Sequence, residues 1–205
     1  MNKISSTILK SVTNPGRYAG GEYGQIIKDA EKVKARFAFC FPDTYEIGMS
    51  NLGVRILYGA LNQEDDIWCE RVYTPWEDMQ QKMREYDLPL CACESGDELK
   101  KFDFVGFTLQ YEMSYTNVLG MLDMAKIPLR SAYRCEDDPL IIGGGPCAYN
   151  PEPVADFFDL FNIGEGEEML VEIVRLYIKM KDEGRYSRAE LLHEAARTIK
   201  GVYVP

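Results

Sequence analysis

From Val33 to Ile163 the chain alternates short apolar runs with segments of helical period, and this rhythm constrains the fold more than any other feature of the sequence. Val33–Phe41 is rich in aromatic and β-branched residues and stops at Pro42. Phe102–Leu109 reads as an apolar strand of the kind found where both sheet faces are covered. Ile67–Tyr73, Leu88–Cys93, Leu140–Ile142 and Leu160–Ile163 read as further short strands. Between them, Leu52, Ile56, Leu57 and Ala60 fall at helical spacing within a helix predicted over Met49–Leu61. Pro75–Tyr86 is a second helix, with Pro75 near its first position. Ser114 is positioned to cap a third, running to Ala125. Met169–Lys181 and Arg188–Ile199 follow, the latter closed by Gly201. Strands alternating with helices join as βαβ units. The predicted class is therefore α/β, with a doubly wound, mostly parallel, Rossmann-like sheet. Residues 1–33, punctuated by Pro15 and four glycines among Gly16, Gly20, Gly21 and Gly24, read as an N-terminal extension. Residues 34–182 form the α/β domain and 183–205 a helical tail.

With 205 residues the chain buries roughly 70% of the surface its unfolded form would expose, enough for a core without cross-links. Its net charge is −10, and no basic stripe interrupts the acids. Phosphate backbones and anionic membranes both call for clustered cations, so direct nucleic-acid or membrane binding is not expected. No apolar run approaches the roughly 20 residues needed to span a bilayer. Met1–Asn14 is too polar for a signal peptide, and the expected location is the cytoplasm.

The six cysteines are scattered. Only Cys91 and Cys93 are close, placed on one side of the strand predicted there, and His193 is far from them in sequence. Tetrahedral metal binding needs a denser set, so buried thiols are the expectation and no metal site is predicted.

In an open α/β sheet, ligands bind beyond the carboxyl ends of the strands. Four loops qualify. The first carries Asp43, Thr44, Tyr45 and Gly48; either these approach a bulky ligand or Asp43 or Ser50 simply caps the next helix. The second carries Thr108 and Gln110, and the Thr108 hydroxyl meets either a ligand edge or the backbone. In the third, Gly143, Gly144 and Gly145 expose backbone N–H groups and clear room for a flat ligand, or else make a tight turn. They do not form the dinucleotide fingerprint, because Pro146, Pro151 and Pro153 prevent the long helix it opens. The fourth is Gly164-Glu165-Gly166, ahead of Glu167 and Glu168. Acids suit a helix N-terminus and make a poor phosphate loop. A flavin or nucleotide domain is disfavoured on the same ground. Nucleophilic catalysis would have to use His193, which falls on an outer helix, and no catalytic residue is assigned.

These loops, in this order, resemble the N-terminal cobalamin-binding-like domain of a family of radical S-adenosylmethionine proteins of poorly defined function. The resemblance rests on Phe41–Gly53, Glu70-Arg71, Pro75-Trp76, Gly106–Glu112, Tyr115–Leu119, Ile127–Arg130, Gly143–Cys147, Asn150–Pro153 and Gly164–Glu167. It implies an accessory domain, not catalytic alone, whose partner is a radical S-adenosylmethionine barrel later in the parent chain. That barrel carries a [4Fe–4S] cluster on Cys-x₃-Cys-x₂-Cys, a spacing not found here, so the sequence reads as the domain without its catalytic half. The resemblance further implies a cobalamin site in which Asp43, Gly48, Thr108 and the glycine run match the fold's Asp-x-His-x-x-Gly, Thr-x-Leu and Gly-Gly elements. Tyr45 stands where the axial histidine would be, and a phenol is a weak ligand at neutral pH. The cofactor expected is thus cobalamin with no histidine beneath it. The rival expectation, favoured by Tyr45, is a cofactor-free interaction module that positions the barrel or a macromolecular substrate.

Overall fold

The computed structural model describes residues 4–205; residues 1–3 of the expected extension lie outside it. Six strands form one sheet: β1 (Ala35–Phe41), β2 (Ile67–Tyr73), β3 (Phe104–Thr108), β4 (Leu140–Gly144), β5 (Leu160–Asn162) and β6 (Val202–Tyr203). Their order is β2-β1-β3-β4-β5-β6, with the first five parallel and β6 antiparallel to β5. The α/β, Rossmann-like expectation holds. The register pairs Phe37 with Phe104, Phe104 with Leu140, and Ile142 with Leu160.

Side chains alternate across the sheet, and each face is covered. Phe37, Phe39, Phe104, Leu140, Ile142 and Leu160 pack against helices α3 (Leu52–Asn62), α6 (Gly166–Asp182) and α7 (Arg188–Thr198). Ala38, Cys40, Val105, Phe107, Ile141 and Phe161 pack against α4 (Glu77–Glu85) and α5 (Tyr115–Met124). Right-handed crossovers put the helices after β1 and β5 on one face and those after β2 and β3 on the other. Two short helices, α1 (Ser6–Leu9) and α2 (Tyr45–Ser50), complete the set. No helix among the described residues is long and apolar enough to cross a membrane.

Local chemistry moved several boundaries. The helix predicted over Met49–Leu61 is two pieces. Asn51 adopts extended backbone between them, and its Oδ1 accepts from the Val54 N–H at 3.0 Å to cap the second. Pro75 lies just before the cap position of α4, which Trp76 occupies. Ser114 does not cap α5, because its hydroxyl donates instead to the Tyr111 carbonyl at 2.7 Å. Leu88–Cys93 is not a strand. Pro89 has no N–H for a ladder, and the segment keeps a single bridge, Cys91 to Glu98, with the Cys93 N–H bonded to the Arg71 carbonyl beside the outer edge of β2.

The edge of β2 is closed by side chains. The Glu94 carboxylate accepts from both the Arg71 backbone N–H and its Nε at 2.7 Å. The Arg71 guanidinium lies 4.6 Å over the Tyr58 ring. At the amino end of β5, Asp159 is 4% exposed and receives Arg134 Nη1 at 2.9 Å, Arg188 Nη2 at 2.7 Å and the Ile141 N–H at 2.6 Å.

Candidate functional site

A parallel sheet of order 2-1-3-4-5 reverses direction between β1 and β3, and the chain leaves those two strands on opposite faces. Here a cleft of about 170 Å³ opens at their carboxyl ends. Phe37 and Phe39 of β1 and Gly106 of β3 line its depth, Leu57 of α3 and Leu170 of α6 its walls. Thr108, Gln110, Gly144, Gly145, Gly164 and Gly166 from the sequence-predicted set line it as well. Loops separated by more than fifty residues thus converge on one space.

Each glycine has its own reason. Gly145 has φ +90°, and a Cβ there would lie 3.0 Å from the Leu109 carbonyl and 3.0 Å from Thr108 Oγ1. Only glycine lets the β4 turn pass so close to the end of β3. A Cβ on Gly144 would meet nothing nearer than Asn162 at 3.8 Å, so that position is open. Gly166 lets the first turn of α6 approach Leu57, where a Cβ would come within 3.0 Å. Gly143 behaves differently. The strand's two-residue period turns it to the other face, where a Cβ would lie 2.6 Å from the Phe161 ring. It serves packing and does not line the cleft.

The polar groups of the cleft are few. Thr108 Oγ1 accepts from Gln110 Nε2 at 2.5 Å, which leaves its own proton for another acceptor. Asn162, the last residue of β5, is 5% exposed, and its Oδ1 is buried with no hydrogen-bond donor among the described residues. Glu167 is exposed at the mouth. Asn162 was not singled out in the sequence, and Glu167 was read there only as an acid suited to a helix N-terminus. The signal for Asn162 was a lone amide inside the apolar run Leu160–Ile163.

The remaining candidates lie elsewhere. Asp43 Oδ2 accepts from the Tyr111 hydroxyl at 2.9 Å and its Oδ1 from the Thr44 N–H at 2.7 Å. Asn117 Nδ2 donates to the Pro42 carbonyl at 2.9 Å, so the loops after β1 and β3 are tied together across the switch point. Thr44 occupies the cap position of α2 without a side-chain capping bond, and Glu165 does the same at α6. Tyr45 lines a second, apolar cavity of about 80 Å³ beneath the N-terminal arm. Its ring meets Tyr73 edge-on at 5.5 Å between centroids. Burial, with a hydrogen bond to the Glu22 carboxylate, pushes its phenol up to about 12. Gly48 is covered by the Tyr73 ring. The arm is held there by Arg17, which pairs with Glu46 at 2.8 Å and lies 5.2 Å over the Trp76 ring.

Neither cavity holds a dense metal-ligand set: no group of three or more His, Cys, Asp or Glu side chains among the described residues is arranged to bind a metal ion. Cys40 and Cys69 are buried, and burial pushes both thiols well up. His193 is exposed on α7.

Fold and cleft together define a Rossmann-like α/β domain with an opening of about 170 Å³ at its switch point. The family model described as radical SAM proteins, N-terminal, matches residues 53–205, and the chain belongs to that family. It is 26% identical over 160 residues to an uncharacterized protein of Methanocaldococcus jannaschii. That match covers 77% of this chain and 30% of the relative, so the chain spans under a third of the length of the curated protein it resembles. No solved structure matches.

Proposed function

We propose that this chain is the accessory module of a longer radical S-adenosylmethionine protein and that it holds cobalamin at the carboxyl rim of its sheet. The observation that carries the reading is the cleft at the switch point, where Thr108, Gly144, Gly145, Gly164 and Gly166 meet between α3 and α6. Whole small-molecule sites run to about 300–1,000 Å³. A cleft of about 170 Å³ takes one flat ring group and leaves the body of a larger cofactor on the rim above. The open Gly144 and the unpaired Asn162 Oδ1 fit such a group.

When bound, cobalamin supplies a cobalt centre that can carry a methyl group. Within this chain, Thr108 would donate to the buried ring, and the backbone at Gly144 and Gly145 would lie against its face. Asp43, held by Tyr111, would keep the β1 loop beside the β3 loop. Tyr45 is engaged with Tyr73 and stays protonated at neutral pH, so its phenol would not serve as a cobalt ligand. The parent reaction, carried by the barrel, would be a methyl transfer or another radical step, and this chain alone would show no turnover.

The test is absorption titration with hydroxocobalamin. Binding without an imidazole ligand is the expected result. The second reading is an interaction module without cofactor, and the turn of Tyr45 toward the arm favours it. No spectral shift at tens of micromolar hydroxocobalamin would favour that reading over the first.

A further inference from the structure

Outside the cleft, buried charged side chains keep hydrogen bonds through most of their atoms even where one atom is left over. Asp159 satisfies two guanidinium groups, and Glu94 is bonded at both oxygens. Among the described residues four buried side-chain atoms lack a hydrogen-bond partner, Arg36 Nε, Arg71 Nη2, Asp138 Oδ1 and Asn162 Oδ1, and of these four residues only Asn162 lines the cleft. A buried acceptor without a donor costs about 1–3 kcal/mol, so a fold retains one where something else pairs with it. The neighbouring chemistry narrows what that is. A phosphate or carboxylate would face the Asn162 oxygen and the Glu167 carboxylate at the mouth, and no Lys or Arg lines the cleft to offset them. Phe37 and Phe39, both buried, close the depth with apolar carbon, and Gly144 and Gly164 leave flat walls. Thr108 has a proton to donate.

We infer that Asn162 is a specificity residue: its Oδ1 accepts a hydrogen bond from a hydroxyl or N–H of an uncharged, ring-bearing ligand group seated in the cleft. This rests on the cofactor reading only in taking that group to be the nucleoside end of a corrinoid; the cleft's preference for an uncharged donor-bearing ring stands on its lining.

The experiment compares hydroxocobalamin, dicyanocobinamide (the corrin without its nucleotide) and adenosine, on the full chain and on Asn162→Leu. Adenosine binding is followed through side-chain amide resonances in ¹⁵N–¹H spectra. Hydroxocobalamin is expected to bind at least about tenfold more tightly than cobinamide, a difference the Leu variant removes while cobinamide affinity stays unchanged. The melting temperature of Asn162→Leu is not expected to fall, since the residue gives up no bond in the free protein. Equal binding of the two corrinoids to the native chain overturns the inference and leaves the cofactor reading standing. If neither corrinoid binds but adenosine shifts the Asn162 amide, the cofactor reading fails and the inference stands. If no probe binds, or if the Leu variant keeps full discrimination, the inference fails. The comparison of native-chain affinities keeps the test decisive even where the variant does not fold.

Discussion

The two ends of the sheet are built to opposite rules, and β5 shows both within four residues. At its amino end Asp159 is locked by Arg134 and Arg188, whose remaining donors reach the carbonyls of Leu129, Phe157, Asp138 and Pro139. At its carboxyl end Asn162 is equally buried and bonded to nothing by its Oδ1. The amino end also carries Arg36, paired with Glu70 and Asp97 and stacked over Trp68 and Phe102. The carboxyl end carries glycines. In a parallel sheet all strands deliver their following loops to one rim, so the rim can be left open only if stability is secured elsewhere. The difference teaches where this molecule concentrates its buried ion pairs and where it leaves glycines and an unpaired amide oxygen beside an opening.

The largest expected effect lies at the closed end. Asp159→Ala takes the shared carboxylate away from two buried guanidinium groups and is expected to lower unfolding free energy by about 3–5 kcal/mol in urea titrations. A loss under 1 kcal/mol would break the contrast. Next come adjacent glycines. Gly143→Ala drives a methyl into Phe161 and should cost about 1–3 kcal/mol, as overpacked cores do. Gly144→Ala meets no such obstacle and should leave stability nearly unchanged while weakening hydroxocobalamin binding. The reverse order would mean that the strand faces have been assigned the wrong way round.

A smaller effect concerns Tyr45. Its phenol is raised from 10.0 to about 12 in the folded chain, so its contribution to stability is present below about pH 10 and lost as pH rises through about 12. The difference in urea midpoint between the native chain and Tyr45→Phe should therefore shrink over that window, and a constant difference would show the phenol to be freely solvated. Smallest is Arg17→Ala. The Arg17–Glu46 pair is partly exposed and screened, so its loss should change stability by less than about 1 kcal/mol and fade in high salt. A larger loss would mean that the arm belongs with the rigid parts of the molecule.

Much of this was legible before any coordinates. Phe102–Leu109 and Leu140–Ile142 announce themselves as apolar runs, the second leading into Gly143, and strand-end loops of a parallel sheet have nowhere to go but one rim. Thr108, Gly144, Gly145, Gly164 and Gly166 follow from that rule. Asn162 was hidden because it sits inside a strand pattern, where an amide reads as a chance polar residue. Tyr45 and Gly48 were misplaced relative to the cleft because the direction of α2 depends on Tyr73 and on an arm about thirty residues earlier. The strand read at Leu88–Cys93 had the right residue types, but Pro89 and the demands of Glu94 at the β2 edge turned it into a brace.

The sequence by itself determined a parallel α/β sheet and the identity of the loops at its carboxyl rim, because apolar periodicity and glycine placement are local properties. Only the tertiary structure decided which of those rim residues share a space. A side chain's face depends on strand register and helix direction, and both are set by packing between segments far apart in the chain.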